Sequence, residues 1–138
     1  MSFEEWVKFY NAKNPQDKFD RNEKYNLFFK EDKGFCEVAF DGDMVFIGQL
    51  CGDARYWKAH IDEAARKTRI KHGGTINIRS KIKAYARLFG YKITETVNLP
   101  DGNQIILAKH KDTGKGFRAA PAFTYDDGQI AYAVTWEI

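Results

Sequence analysis

The chain carries few side chains at spacings that could do chemistry, and the clearest candidate is a single carboxylate. Glu37 lies between Cys36 and Val38 in the apolar run Phe35 to Phe40, where burial would raise its pKa and suit it to act as a general base. The same alternation also allows Glu37 to point to solvent. Lys81, Lys83 and Arg87 fall on one side of a predicted helix, positioned to meet phosphates or to form a solvated face. His60, His72 and His110 are too far apart for a local ligand pair, and neither HExxH nor a paired CxxC occurs, which argues against a metal site. There is no GxSxG, Walker loop or dinucleotide fingerprint.

These candidates need a scaffold, and 138 residues are enough for one domain with one core. Hydrophobic residues make up 43%, charged residues 30%, and there are three prolines, a globular composition. The apolar stretches are short, so no membrane partner is expected, and Glu4, Glu5 and Lys8 make the first residues unlike a signal peptide. Cys36 and Cys51 read as reduced, buried thiols, and a cytoplasmic location follows. The net charge of +3 says little about partners, but Arg66, Lys67, Arg69, Lys71, Arg79, Lys81, Lys83 and Arg87 make one stretch locally basic. The aromatics fall at core periods and are not interleaved with those basic residues, which argues against a platform for single-stranded nucleic acid.

Ser2 to Glu5 has capping-box spacing, and Phe3, Trp6, Val7 and Tyr10 follow at i, i+3, i+4 and i+7, predicting an amphipathic helix that ends before Pro15. Residues 11–24 are polar and unpatterned. Residues 25–29, 35–40 and 44–50 predict a three-stranded meander. From Ala54 the period becomes helical, with Trp57, Ile61, Ala64, Ala65 and Thr68 inward, until His72-Gly73-Gly74 stops the helix. Residues 75–78 predict a short strand, parallel to 44–50 through a right-handed crossover. Ser80 is placed to cap a helix carrying Ile82, Tyr85, Ala86 and Phe89 inward, with Gly90 at its C-terminus. Hairpins are expected at 91–97 with 104–109 and at 122–125 with 129–137. The predicted class is α/β, an α+β mixed sheet flanked by helices, in the order α-βββ-α-β-α-ββ-ββ.

The stretch Met44 to Lys109, with its basic helix running through Tyr85-Ala86-Arg87-Leu88 into Phe89-Gly90-Tyr91, resembles the second half of the acyl-CoA N-acyltransferase (GNAT) fold. Gln49-Leu50-Cys51-Gly52-Asp53-Ala54 is similar to the family's pyrophosphate pattern of Gln or Arg, two residues, Gly, one residue, then Gly or Ala. The resemblance implies acetyl-CoA as cofactor, bound through Gln49, Cys51, Gly52, Asp53 and Ala54 by N–H donors at a helix N-terminus, with Lys83 near its 3′-phosphate. It also implies Tyr85 as the acid for the departing thiolate and Glu37 as the base for an unidentified amine. An alternative alignment starts the helix near Tyr56 and leaves no phosphate-binding glycine. Tyr85 is equally readable as a core residue beside Ile82 and Phe89.

Three functions remain open on this reading: an N-acetyltransferase, a catalytically inactive GNAT-like interaction module, and a nucleic-acid accessory protein using the basic helix. The family's first strand has no counterpart here. The chain carries instead an extra C-terminal hairpin, Ala122 to Glu137, expected to fill that sheet edge or to shape the acceptor side.

Overall fold

The computed structural model describes residues 1–138, an α+β chain of eight strands and three α-helices in the predicted order. No helix is long and apolar enough to cross a membrane. The residues group into two compact units, Met1–Ile70 and Lys71–Ile138.

The first unit begins with α1 (Phe3–Lys13), and both bonds of its capping box form: Ser2 Oγ accepts from the Glu5 N–H, while Glu5 Oε1 accepts from the Ser2 N–H. Next comes an antiparallel meander of β1 (Asn26–Lys30), β2 (Gly34–Asp41) and β3 (Met44–Gly52). The apolar face of α1 packs on the sheet around Phe35. That fully buried ring is met by Phe19 at 5.0 Å, Tyr10 at 5.6 Å and Phe3 at 5.7 Å between centroids. Such tilted and edge-on contacts add to the area each ring buries. The predicted loop after α1 is tied down as well: the Tyr10 hydroxyl donates to Asp17 Oδ2 at 2.8 Å, and the Phe19 N–H donates to Asn11 Oδ1 at 2.7 Å.

Helix α2 (Ala54–Lys67) buries Trp57, Ile61 and Ala65 as the periodicity predicts, but Ala64 is exposed and Asp62 is buried. The Asp62 carboxylate accepts from Lys58 Nζ one turn earlier at 2.7 Å, which makes its burial tolerable. The helix ends sooner than His72: Thr68 is its C-cap, and Arg69 supplies the left-handed residue at φ 62°.

His72-Gly73-Gly74 therefore does not stop a helix but opens β4 (His72–Ile78), the first strand of the second unit. Gly73 lies opposite Trp136, and a Cβ there would collide with the indole ring. A 3₁₀ turn at Arg79–Lys81 leads into α3 (Ile82–Leu88). Ser80 lies inside that turn and caps nothing, since Lys81 is the residue before α3 and no side chain bonds its first N–H groups. After Gly90 (φ 84°) come β5 (Tyr91–Asn98), β6 (Gln104–His110), β7 (Gly116–Thr124) and β8 (Ile130–Glu137).

Within this unit all pairings are antiparallel, in the order β4-β8-β7-β6-β5. The C-terminal hairpin is thus neither an edge addition nor an appendage. β8 pairs with β4 and β7 with β6, so the last hairpin sits between two elements that precede it in sequence. Burial of Tyr132, Val134 and Trp136 rewards that insertion, and the Tyr132 hydroxyl accepts from the Gln104 N–H at 3.1 Å.

Candidate functional site

The proposed cofactor pattern occupies the end of β3 and the first residue of α2, because the strand runs to Gly52, two residues beyond the expected boundary. Gln49, Cys51, Gly52 and Asp53 are already engaged within the fold. Gln49 faces the loop after α1: its amide nitrogen donates to the Lys18 carbonyl at 2.9 Å and to Asp17, and its Oε1 accepts from the Asp20 N–H at 3.0 Å. Cys51 is buried in the core with Tyr10 and Phe35, and burial raises its thiol pKa. Gly52 stands opposite Gly34, with its Cα close to the Lys33 carbonyl.

Asp53 decides what this helix terminus can bind. Its Oδ1 accepts from the Tyr56 N–H at 3.0 Å, and its Oδ2 accepts from Lys33 Nζ at 3.2 Å. One carboxylate thereby takes one of the first-turn donors of α2 and the Lys33 ammonium. The bond from Tyr56, followed by the bond from Lys33, holds the Asp53 pKa below the ordinary carboxylate range. A dianionic group brought to the same place would meet this charge in addition to losing the donor, so the residues present do not fit the pyrophosphate of CoA.

A stability test follows from the sign of that shift. A carboxylate with a lowered folded pKa stabilises the fold above its unfolded pKa, and the contribution is lost as the pH falls through the folded value. Asp53→Ala should therefore lower the urea midpoint at pH 7, and the gap from the parent chain should close as the pH drops below about 4. A gap that stayed constant down to pH 2.5 would mean that the ionised cap contributes nothing.

Glu37, on β2, is 2% exposed and so does not point to solvent. Its Oε2 accepts from Arg21 Nη1 at 3.1 Å and from the Asn22 N–H at 3.3 Å. Arg21 Nη1 also donates to the Tyr25 carbonyl at 2.7 Å and to the Asn22 carbonyl. Glu37 is thus the anchor of a strap formed by the loop between α1 and β1. Its neighbour Cys36 is fully buried, and its thiol is pushed up to about 12, first by burial and then by the Glu37 charge. Neither cysteine has the exposed, electropositive setting of a reactive thiolate.

The remaining candidates belong to the second unit. Tyr85 is half-buried on α3 and stacks on Phe89 with ring centroids 6.2 Å apart, the packing role that was its alternative reading. Lys83 is exposed on α3, at the flank of the face that buries Ile82 and Ala86. The structure brings Gln49, Cys51, Gly52, Asp53 and Ala54 together as one strand end and helix start. Glu37 lies on β2 at the irregularity in the β2–β3 register between Cys36 and Val38, paired with Leu27 of β1.

Two partners, Arg21 and Lys33, are invisible to pattern reading. Arg21 lies in a stretch without periodicity, and Lys33 in a hairpin turn. For Arg21 the signal is the buried Glu37 carboxylate, which requires a cation from somewhere, whereas the part-exposed Asp53 carries no such signal for Lys33. Lys33 Nζ also lies 5.3 Å from the Tyr56 ring, as does Lys30 Nζ, so the start of α2 is ringed by basic groups that serve Asp53 and an aromatic face. No protein-family model matches the chain, and no curated protein matches it.

Proposed function

We propose that this chain is a non-catalytic interaction module on an acyltransferase-like plan, and that it transfers no acyl group. The observation that carries the reading is the Asp53 carboxylate, which accepts from the Tyr56 N–H in the first turn of α2 and from Lys33. The geometry of Glu37 supports it. A general base needs a lone pair aimed at the substrate, and Glu37 instead accepts from Arg21 and Asn22 in a buried position. A binding role also has support from the second unit. Ile76, Ala133 and Ala120 are aligned across β4, β8 and β7, Ile105 and Val97 across β6 and β5, and Ile76 and Val97 are exposed. Arg118, Lys109 and Lys92 lie on the same face.

Titration with acetyl-CoA, followed by amide chemical shifts, tests the proposal. The amides of Gly52 to Trp57 are expected to stay in place up to cofactor concentrations of about 5 mM, a range in which even a weak ligand would register. Saturable shifts confined to those amides would restore the acetyltransferase reading, with Tyr85 and Glu37 as its acid and base.

A further inference from the structure

The sheet of the second unit has two apolar faces, and only one of them is buried. The inner face buries Tyr132, Val134, Trp136, Phe117 and Ile106. An antiparallel sheet whose other face meets water normally turns polar residues outward. Here the outward positions hold Ile76 on β4, Ala133 and Thr135 on β8, Ala120 on β7, and Ile105 and Leu107 on β6. Their sizes give the face a shape. Small residues line β8 and β7 in the middle, and branched ones stand on β4 and β6 at either side, so the face is a trough along the strands. Its walls are three strand spacings apart, about 14 Å between backbones, and a helix about 10 Å across fits between them.

One end of the trough is basic. Lys109 and Arg118 are exposed there, and Lys92 directly faces Lys109 across the β5–β6 ladder, a like-charge pair that costs the sheet stability. None of the three forms an ion pair, not even with Glu95 and Glu137, the carboxylates on the same face. The other end carries Phe123, 48% exposed and opposite Ala131.

We propose that this trough receives an amphipathic helix of a partner protein, laid along β7 and β8 with its carbonyl end and acidic side chains beside Arg118 and Lys109. The inference rests on the reading of the chain as an interaction module and names the kind of partner. Charge and shape select that occupant. The negative end of a helix dipole, with carboxylates near it, is what three unpaired cations attract. A second copy of this chain, face to face, would set these cations against each other if the two-fold axis ran along the strands, and against the apolar Phe123 end if it ran across them. The chain's own helices are already engaged, since α1, α2 and α3 bury Tyr10, Trp57 and Ile82. A bilayer surface is flat, and it would rest on the branched walls and leave the alanine floor unfilled.

Two synthetic helical peptides of about 14 residues test the proposal on the whole chain. Both carry leucine at i, i+3, i+4 and i+7; one has glutamates in its last turns, and its twin has lysines there. The glutamate peptide is expected to shift the amides of Ala120, Ala133 and Thr135 saturably, with a Kd of about 0.1 mM, and the lysine peptide to bind about tenfold more weakly. Lys109→Glu combined with Arg118→Glu should reverse that preference, and Ile76→Glu should abolish binding of both peptides. All three residues are exposed, and far-UV circular dichroism confirms that each variant folds. No shift up to about 1 mM of the glutamate peptide overturns the proposal, as does equal affinity for the two peptides. It is overturned as well if the same amides respond to phosphatidylglycerol vesicles, or to the chain's own concentration, in place of a peptide. These amides are not those of Gly52 to Trp57, so failure here leaves the acetyl-CoA result, and the reading it tests, standing.

Discussion

Gly34→Ala is expected to destabilise the protein by about 3–5 kcal/mol, among the largest effects a single methyl group can have. Gly34 has φ 91°, a backbone region that L-residues rarely adopt, and its missing Cβ would collide with the Cys51 carbonyl oxygen. Both obstacles are backbone, so no side-chain rotation relieves them. Gly34 faces Gly52 across the β2–β3 ladder, and Gly52 meets the Lys33 carbonyl in the same reciprocal way at φ 107°. The approach has a purpose in the fold. The Lys33 carbonyl accepts from the Asp53 N–H at 3.0 Å and from Trp57 Nε1 at 2.8 Å, so the glycine pair fixes the β1–β2 turn to the start of α2. Gly42 is the internal control. Its φ is 60°, but nothing lies within 4 Å of a Cβ there, so Gly42→Ala should cost only about 1 kcal/mol. Urea midpoints at unchanged slope report both values. If Gly34→Ala costs no more than Gly42→Ala, the backbone approach has been misread.

That glycine pair also shows why one pattern of residues carries two meanings. Gln49 to Ala54 matches a phosphate-binding run letter by letter, yet a glycine that lets a phosphate approach the backbone and a glycine that lets another strand approach it are spelled alike. Local structure was legible because its causes are local. The capping box at Ser2 and Glu5, the hairpin turns at 31–33 and 99–103 and the helical period from Trp57 to Ala65 all reappear in the fold. Partnership within the meander and the hairpins was legible too, but partnership between strands distant in sequence was not. Nothing in residues 122–137 states that β8 will pair with β4, because the reward for doing so is the burial of Tyr132, Val134 and Trp136 against residues contributed from elsewhere in the chain. Asp53 illustrates the same limit. Its side chain could be read as an obstacle to phosphate, but only the cap to Tyr56 and the pair with Lys33 show what it does instead.

Glu37 offers the sharpest separation between a structural carboxylate and a catalytic one, because the two roles respond oppositely to the loss of Arg21. If the carboxylate serves the fold, Arg21→Ala strands a buried charge. Removing one member of a buried pair costs about 3–5 kcal/mol. Here the Arg21 side chain is 43% exposed and water partly replaces it, so about 2 kcal/mol is expected. Glu37→Gln should cost less, since the amide keeps an acceptor for the Asn22 N–H and leaves Arg21 free to hydrate. The double variant Arg21→Ala/Glu37→Gln then contains no buried charge at this position and should be more stable than Arg21→Ala alone, a coupling that a double-mutant cycle in urea measures directly. A carboxylate positioned for catalysis would behave differently: freed from its guanidinium it would become a better base, and its neutralisation would not rescue stability. Strictly additive losses would remove the ion pair from the account of this fold and, with it, the reason for regarding Glu37 as unavailable to a substrate.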